Sequence, residues 1–157
     1  MVLDRVHGPT MRESVVAGTT TIEDGGRILA ALHGRLHALP PPDGGGTDTI
    51  RHLDLHPDNV IISPAGPVVI DWRNSDVGPP AMDLALTAVI LAQVALSPRP
   101  DASAARGLLS AYLAAIEPLS ISGLDQATVY RSADRNATSA ELDLLRQVTE
   151  MLMAEAT

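Results

Sequence analysis

The sequence lacks cysteine, lysine and phenylalanine, and it has only one tryptophan and two tyrosines in 157 residues. Without cysteine, neither a disulfide framework nor thiolate chemistry is available. Because aromatic residues are so few while the hydrophobic fraction is 45%, the core has to be built from Leu, Val, Ile and Ala. Such side chains suit a core of packed helices.

The sequence also lacks any targeting or membrane segment that its pattern would reveal. No window approaches the roughly 18 apolar residues that span a bilayer. The first residues show no basic segment followed by an apolar run. We therefore expect a cytoplasmic protein.

Positive charge is scarce. All eleven basic residues are Arg, and they face nineteen acidic residues, for a formal charge of -8. This balance repels nucleic acid and anionic membranes, so we expect neither as a partner, and it favours cationic small molecules. The length is that of one domain with a sizeable core.

Apolar periodicity and breaker residues predict a mainly α fold with one small β-hairpin, an α+β class. We expect a single unit over residues 1–157: a strand within 1–9, a helix over 22–39, a loop and hairpin over 51–71, and a helical part over 80–156. The helix of the first half is predicted from Glu23 to Leu39. The helices of the second half are predicted at Ala81–Leu96, from Asp101 or Ser103 to Ile116, at Gly123–Arg135, and from a Thr138–Glu141 capping box to Ala154.

Polar chemistry is concentrated between residues 51 and 86. Asp54 precedes Asn59 by five residues, and a hairpin of Val60–Ile62 and Val68–Asp71 returns another carboxylate to the same place. Asn59 and Asp71 offer oxygen ligands of the kind that Mg²⁺ takes beside water and phosphate oxygens. Asp54 would stay free to accept the proton of a substrate hydroxyl. The stretch therefore predicts a site for handling phosphate with a divalent ion.

The motifs HLDLHPDN at 52–59, VVIDW at 68–72 and DLA at 83–85 resemble those of the aminoglycoside phosphotransferase and choline kinase-like family, relatives of the protein kinases. The resemblance implies the lower lobe of a protein-kinase-like fold. It also implies ATP- and Mg²⁺-dependent transfer of a phosphoryl group to a hydroxyl of a small molecule, for which a cationic acceptor is compatible with the charge.

The resemblance carries residue roles with it. Asp54 takes the place of the catalytic aspartate, and Asn59 and Asp71 take the places of the metal ligands. Asp83 is the carboxylate that braces the catalytic loop, supported by His52 and Trp72. The backbone of a nucleotide hinge falls on Leu3, Asp4, Arg5 and Val6.

This sequence departs from the family pattern at three points. Leu53 stands where the pattern has Gly, and Pro79 stands where it has Asp. No Lys is present to hold the nucleotide phosphates, and Arg is not an equivalent point charge. We therefore expect a lower lobe with little or no activity by itself, which either self-associates or needs an upper lobe from a partner.

Two other functions stay open. One is a non-catalytic kinase-like module that binds a nucleotide or a protein. The other is a metal-dependent hydrolase that uses His52, Asp54 and His56, which alternate along one face if the segment is extended. Of the remaining polar residues, we expect Asp58 to be a solvated loop charge, and His33 and His37 to form an exposed helix edge.

Overall fold

The structure, a computed structural model, describes residues 6–42, 46–133 and 138–155. Most of the described residues are helical, and the strands are short. The elements in chain order are α1 Met11–Val16, α2 Ile22–His37, β1 Thr49–Arg51, β2 Val60–Ser63, β3 Gly66–Val69, β4 Asp76–Gly78, α3 Pro80–Leu96, α4 Ala102–Leu113, α5 Ile121–Ser132 and α6 Ser139–Glu155. The mainly α class with small antiparallel sheets that the sequence predicts is confirmed. The predicted first strand lies outside the described residues except for Val6.

Helix starts follow the capping signals of the sequence. Thr138 and Glu141 form the predicted reciprocal capping box at the start of α6. A second box, between Thr10 and Glu13, starts the unpredicted α1. Asp101 precedes α4 but makes no capping bond through its side chain. Its carboxylate instead binds Arg99 at 2.8 and 2.9 Å, because an Arg two residues away offers a stronger, charge-assisted partner.

Helix α3 is the centre of the core, as its almost unbroken apolar sequence predicts. It packs against α4, α5 and α6, so it is buried on most sides rather than along one stripe. The core is aliphatic, and among its described members Tyr112 is the only aromatic side chain. Helices α2 and α4 approach closely at Gly26, where a side-chain Cβ would lie 2.5 Å from Ala111 Cβ.

The strands form two separate two-stranded antiparallel sheets within the described residues. The β2–β3 pair is the predicted hairpin, but β3 begins at Gly66 rather than Val68 and ends at Val69. The pairing of Ser63 with Gly66 leaves a two-residue turn, because Gly66 tolerates the positive φ of 115° at its end. Asp71 therefore lies beyond the strand.

The β1–β4 pair was not predicted from the sequence. Each strand has three residues, too few for an alternating pattern to stand out. Side-chain bonds tie the strands together: Arg51 donates to both carboxylate oxygens of Asp76 at 2.8 Å.

No described helix is long and apolar enough to cross a membrane.

Candidate active site

The loop between β1 and β2 starts from a residue in an unusual conformation. Leu53 has φ of 61°, in the left-handed region, and its side chain is buried. Its N–H donates to Asp83 Oδ1 at 2.8 Å, and the N–H of His52 donates to Asp83 Oδ2 at 3.1 Å. Because Asp83 lies in the first turn of α3, the loop is fixed directly to the core helix. These two bonds are what the bracing role assigned to Asp83 would require.

His52 lies underneath this loop. Its Nε2 lies 3.0 Å from the carbonyl oxygen of Ile70, which ties the loop to the end of the hairpin. Its ring meets the ring of Trp72 edge to face, with centroids 4.8 Å apart. Trp72 in turn donates its indole N–H to the carbonyl oxygen of Val69 at 3.1 Å. The fully buried His52 thus has the surroundings of a supporting residue rather than of a group that meets substrate.

Asp54 and Asn59 are joined by the amide of Asn59. Its Nδ2 donates to the backbone oxygen of Asp54 at 2.9 Å and contacts Asp54 Oδ2 at 3.3 Å. The ring of His56 completes the group, with Nε2 3.2 Å from Asn59 Nδ2 and 3.7 Å from Asp54 Oδ1. Burial lowers the pKa of His56, against the opposing effect of Asp54 and Asp58. His56 is therefore a neutral neighbour of the Asp54 carboxylate at neutral pH.

The backbone next to Asp71 pairs with Asn59 through the hairpin. The N–H of Ile70 donates to the carbonyl oxygen of Asn59 at 3.0 Å, so Asp71 follows directly after the backbone that faces Asn59. Asp71 is left-handed, with φ of 61°, and its half-exposed carboxylate contacts Arg73 Nη2 at 3.2 Å. A left-handed Asp turns the chain sharply out of the strand.

The side-chain oxygen atoms of Asn59 and Asp71 are suitable ligands for a magnesium ion. The amide NH₂ of Asn59 is engaged with Asp54, and within the part of the chain that the structure describes its Oδ1 has no hydrogen-bond donor. Asp71 adds a charged oxygen with 42% of its side chain exposed. One neutral and one charged oxygen, with solvent beside them, match the few protein ligands that Mg²⁺ takes.

Asp83 is bonded to the imidazole of His37 as well as to the loop, and the ring of His33 lies beside it. His37 Nε2 lies 2.9 Å and His33 Nδ1 lies 3.4 Å from Asp83 Oδ2. Burial alone would raise the pKa of Asp83, but its polar neighbours, among them His37 and the Leu53 N–H, outweigh burial and hold the pKa far below its ordinary value. Asp83 therefore remains an anion although it is 1% exposed.

The predicted exposed edge of His33 and His37 is wrong. His33 is 1% exposed and His37 is 12% exposed, and both rings point to Asp83. The signal was available, because Leu29, Leu32 and Leu36 define the buried face of α2, and position 33 lies on that face at helical spacing. A carboxylate that is 46 residues away in sequence from His37 could not be assigned to it from one sequence.

Asp58 is also more than a solvated charge, since Arg12 Nε donates to Asp58 Oδ1 at 2.6 Å. This bond fixes α1 to the turn that follows His56.

Sequence reasoning also missed Tyr130 and Arg131 of α5, which carry no motif. Burial and then the charge of Asp54 raise the pKa of Tyr130, so its hydroxyl lies within electrostatic range of Asp54.

The structure does not assemble the hydrolase site predicted as an alternative. In the described residues, the cluster with metal-ligand geometry is His33, His37 and Asp83 rather than His52, Asp54 and His56. His52 directs its Nε2 to a backbone oxygen instead.

Of the predicted hinge, Leu3, Asp4 and Arg5 lie outside the described residues.

A loop braced by a buried carboxylate, an Asp–Asn pair and an Asp just beyond the hairpin are the features expected from the resemblance to phosphotransferases. Comparison with protein-family models agrees with this class: residues 12–121 match the phosphotransferase enzyme family, and the chain belongs to that family. The match covers more than two thirds of the chain and includes all of residues 51–85. No curated protein matches the sequence.

Proposed function

We propose that the protein contributes the lower lobe of a kinase-like enzyme that transfers a phosphoryl group from ATP, with Mg²⁺, to a hydroxyl of a small molecule. Family membership supports phosphoryl transfer. The observation that carries the finer proposal is the Asn59 amide, which bonds Asp54 through its NH₂ and leaves its oxygen without a hydrogen-bond donor among the described residues.

Asp54 is the group that would meet the acceptor. Its carboxylate is partly open to solvent, and its Oδ2 is oriented by Asn59. It would accept a hydrogen bond from the acceptor hydroxyl and take its proton as the new bond to phosphorus forms. His56 lies against the other oxygen and limits how far the carboxylate can turn.

Asn59 Oδ1 and the Asp71 carboxylate would hold the metal ion. A bound Mg²⁺ supplies positive charge to the phosphate oxygens of the nucleotide. The residues of the chain keep these ligands in place: His52 fixes the strand end before Asp71, and Asp83 fixes the loop before Asp54. The catalytic and metal assignments thus depend on one supporting network.

The 157 residues by themselves should transfer phosphate slowly. Clamping of the transferred group by positive charge is a major part of catalysis in this class, and the sequence has no Lys to supply it. Arg73 lies beside Asp71 but is 79% exposed, so it does not offer a preorganised replacement.

Calorimetry with ATP, in the presence and absence of Mg²⁺, tests the proposal on the chain as it is. We expect binding heat that needs Mg²⁺, and we expect Asp71→Asn to remove at least about 1.4 kcal/mol of the binding free energy, a tenfold loss of affinity. The matched control is Asp58→Asn, which removes a carboxylate of the same loop that binds Arg12 instead. Its affinity for ATP should stay near that of the wild type.

The second candidate function is a non-catalytic module, which the absence of Lys favours. It predicts no heat that depends on Mg²⁺, and that result would overturn the proposal. Where Mg²⁺-dependent binding is found, product formation by Asp54→Asn is compared with that of the wild type. We expect a loss of about 10²–10⁴-fold, the usual contribution of a general base.

A further inference from the structure

Three ligand-type side chains meet beneath the catalytic loop. His33 and His37 lie one turn apart on α2, and Asp83 faces them from the start of α3. Their nearest nitrogen and oxygen atoms all lie within 4.8 Å of one another. The group has no part in the phosphate chemistry proposed above, beyond the bonds of Asp83 to the loop.

The hydrogen bonds of Thr87 determine which nitrogen of His33 carries a proton. The Thr87 hydroxyl donates its single hydrogen to the carbonyl oxygen of Leu55 at 2.6 Å. At its contact with His33 Nε2, 2.9 Å away, the hydroxyl can therefore only accept. Nε2 must carry the proton, which leaves a lone pair on Nδ1 of the neutral ring.

That lone pair is buried without a donor. His33 Nδ1 has no hydrogen-bond partner among the described residues, and it faces Asp83 Oδ2 at 3.4 Å. Two atoms that commonly bind metal ions therefore face each other with no hydrogen bond between them. An unsatisfied buried acceptor beside an anion is costly, and a cation between them removes the cost.

The spacing suits a metal ion better than a direct bond. Ligands about 2.0–2.1 Å from a tetrahedral Zn²⁺ lie about 3.3 Å apart, close to the 3.4 Å between His33 Nδ1 and Asp83 Oδ2. His37 Nε2, at 2.9 Å from the same oxygen, would have to move by a few tenths of an ångström. Two imidazole nitrogens and one carboxylate oxygen favour Zn²⁺ over Mg²⁺.

One member of the cluster borders an open cleft. The cleft has a volume of about 350 Å³ and is lined by His37 together with Ala38–Pro41 and Gly46–Thr49. His37 is the one ligand with measurable exposure, 12%. A metal could therefore arrive at His37 without unfolding of the core.

We propose that His33, His37 and Asp83 form a three-ligand Zn²⁺ site, with water as the fourth ligand, that links α2 to the carboxylate bracing the catalytic loop. Zn²⁺ would bind Nδ1 of His33 and Nε2 of His37, and it would take the place of the hydrogen bond between His37 Nε2 and Asp83 Oδ2. Asp83 Oδ2 exchanges the His37 hydrogen bond for the metal and keeps the N–H of His52.

A calorimetric titration of the metal-free chain with Zn²⁺ as the only added metal tests the site. We expect one Zn²⁺ per chain. His33→Gln and His37→Gln should each weaken binding by more than the roughly 10- to 100-fold that loss of a supporting partner costs. The control is His7→Gln, which replaces an exposed histidine. It should bind Zn²⁺ as the wild type does.

Circular dichroism verifies that each variant folds, and the wild type alone gives a second readout. Zn²⁺ should raise its melting temperature, since a ligand that binds only the folded state stabilises it. Nitrogen NMR of the imidazoles should show shifts at His33 Nδ1 and His37 Nε2. Absence of Zn²⁺ binding, equal binding by the His33→Gln and His37→Gln variants, or shifts confined to other histidines would each overturn the proposal.

Discussion

Leu53 shows how the functional loop is maintained at the scale of one residue. Its φ of 61° is a conformation that Gly adopts freely and other residues at a cost of roughly 1–2 kcal/mol. The family pattern has Gly at this position, which agrees with that backbone geometry. Burial compensates for the strain here, because the Leu53 side chain is almost completely enclosed in the core.

Replacement of Leu53 separates the two effects. Leu53→Ala and Leu53→Gly both lose the buried side chain, which costs about 2–5 kcal/mol, so both should be less stable than the wild type. Gly relieves the left-handed strain and Ala does not. We expect Leu53→Gly to be more stable than Leu53→Ala by about 1 kcal/mol, as measured by urea unfolding.

The result is decisive because Ala and Gly usually differ in stability in the opposite direction. At ordinary positions Ala is the more stabilising residue, by about 0.4–1 kcal/mol. If Leu53→Ala were the more stable variant, the left-handed geometry of the loop would be wrong. Binding of ATP and Mg²⁺ by the two variants would then show whether the loop geometry also matters for the site.

At the scale of elements, local signals in the sequence were enough to find the five longer helices, while the six-residue α1 was missed. The Thr138–Glu141 box, the leucine spacing of α2 and the apolar run of α3 each depend on residues within a few turns. The β1–β4 pair and the partners of Asp83 depend on contacts between distant segments. Arg51 binds Asp76, which is 25 residues away in the sequence. The local sequence around either residue does not predict its partner.

The candidate site follows the same division. Asp54, Asn59 and Asp71 were predicted because a motif fixes their types and spacing. Arg12 was not, because its role exists only once α1 packs against the loop. The metal and catalytic roles themselves stay predictions until binding is measured.

The contact of α2 with α4 gives a prediction at this scale. Gly26→Ala would bring a Cβ to 2.5 Å from Ala111 Cβ and 2.7 Å from Tyr112 N. Overpacking costs about 1–3 kcal/mol, and the better helix propensity of Ala returns about 1 kcal/mol at most. We expect a net loss of about 1–2 kcal/mol in the free energy of unfolding.

Gly34 of the same helix is the matched control. A Cβ there meets nothing within 4 Å, so Gly34→Ala should stabilise by about 0.5–1 kcal/mol through propensity alone. Opposite signs for the two substitutions are the expected result. A gain in stability for both would show that α2 and α4 are not in close contact at Gly26.

For the whole molecule, the position of α3 determines how the site and the helical part are coupled. Asp83 in its first turn holds the catalytic loop, while its later turns pack on α4, α5 and α6. The site and the helical part therefore share one supporting helix. We expect the loop, the hairpin and the helices to unfold as one cooperative unit.

The single tryptophan allows a direct test of this coupling. Trp72 contacts His52 beneath the loop, so its fluorescence reports the site, while far-ultraviolet circular dichroism reports the helices. Leu86→Ala, in the middle of α3 and 1% exposed, should lower the free energy of unfolding by about 2–5 kcal/mol. Both signals should shift together.

Leu142→Ala on α6, where the side chain is 41% exposed, is the control. It should change the free energy of unfolding reported by either signal by no more than about 0.5 kcal/mol. A fluorescence transition that precedes the helical one, in the wild type or in Leu86→Ala, would mean that the site unfolds separately and that Asp83 does not couple it to the core.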